Sequence, residues 1–312
     1  MRVVSLLPSA TELCYALGVE PVGVSHECDY PPEAKHQPSV IDSRIDADAS
    51  SDAIDSQVQD AVAEGGVYEL DREALRECDP DLIISQGICE VCAVDESLVR
   101  TAIDEEDIDA TLVASNPQSI DDVLSDLERL GEHLGKSQQA RQVREGLETR
   151  IEHVKQNTPN PEDGPTVAIL DWLAPVMVAG HWIPELVEIA GGRYPLAAPG
   201  DPSIPHEWRD IRDADPERLI AAPCGFTLEQ TRENQTDLAE RPGWESLQAV
   251  SAGTVYAMDG HHYVNRPGPR LVETLELLAA TIHDDHEIAT RETPLDAVAR
   301  WSELTATQQP TQ

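Results

Sequence analysis

Lysine is almost missing from this 312-residue chain, being confined to Lys35, Lys136 and Lys155. Only 22 Lys and Arg stand against 59 Asp and Glu, a formal net charge of −37. With no basic stripe to neutralise phosphates, the sequence argues against nucleic acid as a partner. So acidic a surface repels itself in dilute buffer and is tolerated best in molar salt, where the Debye length falls to about 3 Å. The composition therefore implies a salt-loving host rather than an activity. Long apolar runs are also lacking: none approaches the roughly 18 residues a spanning helix needs, so no membrane insertion is expected. The opening MRVVSLLPSATEL carries no charged n-region, long apolar h-region or twin-arginine signal. It reads as the start of a protein kept in the cytoplasm, with its 6 cysteines as thiols.

Enzyme signatures are missing too. There is no Gly-x-Ser-x-Gly elbow, Walker loop, Gly-x-Gly-x-x-Gly or His-Glu-x-x-His. Their absence shifts the expectation towards a binding protein that needs no cofactor.

What is present is an alternation of short apolar runs with helical patterns. VVSLL (3–7), VGVS (22–25), LIIS (82–85) and TLVA (111–114) read as strands of a first α/β unit. Between the first two lies SATELCYALG, with Ser9 as candidate N-cap, Glu12 three residues on and Gly18 as the stop. The acidic stretch 42–66 reads as a solvated surface excursion. Apolar residues at Ile120, Val123, Leu124, Leu127, Leu130 and Leu134 mark an amphipathic helix, and Ala140, Val143, Leu147, Ile151 and Val154 mark a second. NTPNPEDGP (157–165) breaks the pattern, after which TVAIL, PVMVAG, ERLIAAP and TVYAM resume it. The expected organisation is an α/β lobe over 1–136, a connecting helix over 137–157, a second α/β lobe over 164–285 and a tail over 286–312.

Chemistry-bearing residues cluster where those strands end. Cys28 follows the second run, Cys89 and Cys92 follow the third in GICEVCAV, and Cys224 lies in APCGF. In parallel sheets ligands bind outside the carboxyl ends of strands, so these cysteines and His26, His181, His261 and His262 are expected near one cleft. Cys89 and Cys92 could hold zinc or iron with Cys28 and Cys224, act as a redox pair, or line a pocket. Acidic Glu90, Asp95 and Glu96 beside them disfavour the low thiol pKa that redox work needs. Phenylalanine occurs once, beside 5 Trp and 6 Tyr. Trp172, Trp182, Phe226, Tyr30 and Tyr263 all fall at ends of runs, which as a group suits a broad, flat, apolar ligand.

RVVSLLPSATELCYALGVEPVGVSHECDYPP (2–32), CDPDLIIS (78–85), APVMVAGHWIPELVEIAGG (174–192) and NRPGPRLVETLELLA (265–279) together resemble one family. It comprises the cobalamin-binding members of the helical-backbone substrate-binding proteins that serve ABC importers, and GICEVCAV and APCGF resemble its cysteine-bearing subgroup. The resemblance implies two Rossmann-like lobes joined by one long helix, the class III periplasmic-binding-protein arrangement, with a corrinoid held between them. It implies corrin contacts at Ser9, Thr11, His26, Tyr30, Gly87, Trp172, His181, Trp182, His261, Tyr263 and Arg266. It also implies a permease partner met by one glutamate per lobe, for which Glu73 and Glu207 are the candidates. Exported members of the family give an extracellular or membrane-associated alternative to the cytoplasm. A metal-chelate ligand such as haem or a siderophore, using the Cys/His cluster, stands as the alternative to cobalamin.

Overall fold

The computed structural model describes residues 1–63, 66–87, 94, 96–290 and 293–306. In the first lobe β1 (Val3–Ser5), β2 (Gly23–Ser25), β3 (Ser39–Ser43), β4 (Tyr68–Leu70), β5 (Leu82–Gln86) and β6 (Thr111–Ser115) form a sheet ordered β4-β3-β2-β1-β5-β6. All neighbours run parallel except β3 and β4. Val3, Val4, Leu82, Ile83 and Ile84 are buried, because helices cover both faces of the central strands. Those helices are α1 (Pro8–Ala16), α2 (Ser51–Ala63), α3 (Arg72–Glu77), α4 (Glu96–Glu105) and α5 (Ile120–His133).

Helix α1 begins one residue earlier than its expected cap. Pro8 occupies the first turn, where its missing N–H costs nothing, and Ser9 lies inside the helix without capping it. Gly18, at φ +69°, follows the helix end in the left-handed conformation that favours glycine. Glu12 is released from capping and is buried toward the second lobe.

The connection is α6 (Ser137–Asn157), whose Ala140, Leu147, Ile151 and Val154 are buried. The second lobe holds β7 (Val167–Trp172), β8 (Met177–Val178), β9 (Ile204–Pro205), β10 (Arg218–Ala221), β11 (Val255–Met258) and β12 (Val298–Arg300) in the order β12-β11-β10-β7-β8-β9. Around them lie α7 (Ile183–Ile189), α8 (Trp208–Ala214), α9 (Leu228–Glu233), α10 (Thr236–Ala239), α11 (Gln248–Ala252), α12 (Leu271–His283) and α13 (Trp301–Ala306). One hydrophobic core runs from α1 and α5 through α6 into α7, α12 and the second sheet. Arg150 of α6 also grips Glu276 of α12 through two 2.8 Å hydrogen bonds, and Glu276 is fully buried. A helix tied in this way to both lobes restricts how far they can swing apart.

Two expectations are corrected. Within the expected tail, residues 293–306 are no appendage: β12 pairs antiparallel with β11, and Trp301 packs on Trp244 at a ring separation of 5.7 Å. The stretch 42–66 is not merely solvated. Its helix α2 docks on the second lobe, where the Ser51 hydroxyl meets Asp237, the Ser51 amide donates to Asn234 at 3.2 Å and Gln230 donates to the Ala47 carbonyl at 3.1 Å. Ile45, Ala49, Ile54 and Val58 supply the apolar face that the acidic composition hides.

Candidate functional site

Every chemistry-bearing loop of the cleft leaves the carboxyl end of a strand. His26, Cys28 and Asp29 follow β2, Gly87 follows β5, Trp172 ends β7, Cys224 and Phe226 follow β10, and Asp259, His261 and His262 follow β11. Such crevices are where open α/β sheets bind ligands.

The apolar part is a pair of rings. Trp172 and Phe226 lie with centroids 5.2 Å apart and are buried with Ile54 of α2, Met177 packing beside them. The Trp172 indole N–H donates to the Ala174 carbonyl at 3.1 Å, which fixes the ring plane.

The polar part joins the lobes. Gly260 permits it locally, since a Cβ there would strike the Ala222 and Pro223 carbonyls; the close approach lets the His261 amide donate to the Phe226 carbonyl at 3.0 Å. The chain then makes a π turn over Gly260–Val264, capped by the Asp259 carboxylate, which accepts from the His262 amide at 2.9 Å. The other Asp259 oxygen faces His262 Nδ1 at 2.8 Å. From the first lobe, Asp29 Oδ2 lies 3.1 Å from Nε2 of both His261 and His262. Asp29 Oδ1 accepts from Arg266 at 2.5 Å. Burial would raise the Asp29 pKa, but the hydrogen bonds from both histidines and Arg266 outweigh it and hold the carboxyl well below the usual range. Hydrogen bonds to Asp259 and Asp29 push His262 up to about 9.

Behind this cluster Glu12 is buried beside Arg266 and Arg270, at 3.8 and 3.5 Å. Desolvation pushes its carboxyl up to about 7 against the pull of the two arginines, and Oε2 has no hydrogen-bond partner. Desolvation likewise pushes Asp171, beside Trp172, up to about 6.

The remaining residues singled out from the sequence fall in several places. His26 is exposed, its Nδ1 3.0 Å from the Ile41 carbonyl. His181 reaches Gln118 of the first lobe at 3.1 Å, and burial lowers its pKa. Gly87 is exposed and donates to Asn116. Thr11 is fully buried, its hydroxyl between Ser5 and Cys28 at 2.9 and 3.0 Å, and Ser9 is 3% exposed. Trp182 is built into the second core, donating to the Val264 carbonyl at 2.9 Å. Tyr30 and Tyr263 flank the Arg270 guanidinium, 4.2 and 4.7 Å from the ring centroids.

Two of the four cysteines singled out as candidate metal ligands are described. Cys28 is buried and its thiol is pushed up to about 12 by desolvation, while Cys224 is exposed. Cys89 and Cys92 lie outside the described residues. Among the described residues, the group able to hold a metal is Asp29, His261 and His262. Asp29 and Asp259 were missed in the sequence because each sits beside a more conspicuous residue, Cys28 or His261, in a chain crowded with acids. Glu73 on α3 and Glu207 before α8 are both exposed, one on each lobe. Arg209 lies next to Asp210, which spends its carboxylate on the Glu207 amide at 3.2 Å.

Two α/β lobes on a rigid helix, with binding loops facing across a cleft, define a solute-binding clamp of the class III periplasmic-binding type. The chain belongs to the periplasmic binding protein family, which it matches over residues 3–261. It is 22% identical over 280 residues to the vitamin B12-binding protein of Vibrio cholerae, covering 88% of this chain and 86% of that one. The crystal structure of the periplasmic vitamin B12 binding protein BtuF of Vibrio cholerae superposes with a TM-score of 0.63 at 19% identity, covering 92% of this chain and 98% of that one. The periplasmic heme-binding protein RhuT from Roseiflexus sp. RS-1 superposes at 0.67 and 21%, covering 91% and 98%. This is a substrate-binding protein of the class that serves ABC importers, and not an enzyme.

Proposed function

We propose that the chain binds a corrinoid of the cobalamin type between its lobes and hands it to an ABC permease. The observation that carries this reading is the Trp172–Phe226 pair at the carboxyl ends of β7 and β10. It is a flat apolar platform of the kind a broad macrocycle needs. In the arrangement described α2 lies over it through Ile54, so the ligand takes the place of α2 on the rings. His261, whose amide reaches the Phe226 carbonyl, stands beside the platform; with His26, Gly87, His181 and Arg266 it is assigned to the amide side arms, and Ser9, Thr11 and Trp182 to supporting the binding loops. Glu73 and Glu207, exposed on opposite lobes, are the docking acids.

Haem is the second reading. The neighbouring imidazoles of His261 and His262, with ring centroids 4.5 Å apart, would suit an iron porphyrin, and relatives described as heme-binding share the fold. Titration of the full chain with cobalamin and with haem, in molar potassium chloride, separates the two. Saturable one-to-one quenching of tryptophan fluorescence by cobalamin supports the first reading and binding of haem alone supports the second. Binding of neither by folded protein sinks both.

A further inference from the structure

We propose that Asp29, His261 and His262 form a divalent transition-metal site, zinc being the fitting ion, which clasps the two lobes whether or not a macrocycle is bound. Asp29 comes from the first lobe and both histidines from the second, and their ligand atoms all lie within 4.8 Å of one another. Two edges of the triangle, Oδ2 to each Nε2, are both 3.1 Å. Bonds of about 2.0–2.1 Å around a tetrahedral zinc place neighbouring ligand atoms about 3.3 Å apart, so these edges need almost no adjustment. Three protein ligands leave a fourth position for water or a bound solute.

The surroundings are those of a metal centre. Asp259 holds His262 Nδ1 at 2.8 Å, so that Nε2 is the nitrogen aimed inward, the carboxylate–histidine support that orients metal ligands. Arg266 Nη2, which can only donate, stands 3.0 Å from His261 Nε2. The same nitrogen lies 3.1 Å from Asp29 Oδ2, and in the neutral ring it can offer its lone pair to an ion placed between them.

Arg266 has somewhere to go when the ion enters. It keeps Asp29 Oδ1 and turns from His261 towards Glu12, whose Oε1 is 3.8 Å away and whose Oε2 is buried without a partner. Binding releases the Nε2 proton of His262 to solvent while Nδ1–H stays on Asp259.

The test is zinc content and affinity of chelator-stripped full-length protein, by equilibrium dialysis in molar potassium chloride with excess magnesium to occupy the acidic surface. One tightly held zinc per chain is expected, lost in His262→Ala and bound about 10- to 100-fold more weakly in Asp259→Asn, with circular dichroism reporting that each variant folds. The Cys89→Ser/Cys92→Ser variant should keep its zinc, and the cobalt(II)-loaded protein should lack the near-ultraviolet thiolate-to-metal charge-transfer band. No bound zinc, or zinc lost with the cysteines and retained in His262→Ala, overturns the proposal. Because no macrocycle is added, failure of corrinoid binding leaves this result untouched.

Discussion

Trp172 and Asp171 are neighbours at the end of β7, and each carries a prediction. If Trp172 stacks on the ligand, Trp172→Ala should weaken cobalamin binding by about 1–3 kcal/mol. Unchanged affinity in a folded variant would remove it as an anchor. Asp171 is 8% exposed, and desolvation raises its carboxyl from 3.8 to about 6. An acid whose folded pKa exceeds its unfolded value favours folding fully below the unfolded pKa, and that advantage disappears as pH climbs through the folded one. Wild-type stability should therefore fall between about pH 4 and pH 6, by up to roughly 3 kcal/mol at about 1.36 kcal/mol per unit. Asp171→Asn should flatten that slope in urea unfolding measured across the window. An unaltered slope would place the titration elsewhere.

At the scale of elements, α2 is the part whose position matters most for access. Its outer face is exposed and acidic, while Ile54 and Val58 hold it over the aromatic pair. The few polar ties at Ser51 and Ala47 fasten only its beginning to the second lobe. A helix held this lightly belongs to the low-stability end of a fold, from which ligand-gating segments are drawn. Cobalamin should therefore speed amide hydrogen exchange across Ser51–Ala63 while slowing it in the loops after β2 and β11. Slower exchange in α2 would mean that the helix stays and the ligand lies elsewhere. The other helices were read more easily. Ser119 caps α5 by accepting from the Asp122 amide at 3.1 Å, and the apolar stripe behind it is the one buried. In α2 the stripe is interrupted by Asp52, Asp55 and Asp60, so its apolar face is visible only once a partner surface covers it.

For the whole molecule, charge governs the conditions under which the clamp works. Spread over a surface of 14197 Å², a net charge of −37 makes mutual repulsion the dominant long-range term in dilute buffer. Raising potassium chloride from millimolar to molar should raise the melting temperature in scanning calorimetry, by about 2 °C or more for each kcal/mol of repulsion screened. A melting temperature indifferent to salt would show that the acids are already offset by local pairing. Docking is also a property of the whole clamp, because it needs acids from both lobes. Glu73→Arg should reduce corrinoid uptake in cells that depend on this protein without altering the affinity of the purified chain, and unchanged uptake would end the docking idea.

Apolar runs ending in loops and the amphipathic pattern of α5 and α6 were enough to determine two α/β lobes, because periodicity is a local property, while the stretches quoted for the family resemblance carried the expectation of a binding protein. Strands β3, β4, β9 and β12 escaped, being short segments without a clear apolar alternation, and β9 stays exposed even in the sheet. The cleft was legible as a set of strand ends, yet which side chains meet there was decided by tertiary structure alone. Asp29 and His261 are 232 residues apart and become partners only when α6 brings the lobes face to face. Cys28, the more conspicuous neighbour, turns inward to Thr11, and Trp182 spends its indole N–H on Val264. Composition can nominate such residues, but burial and the direction of each hydrogen bond assign them, and both depend on the opposite lobe.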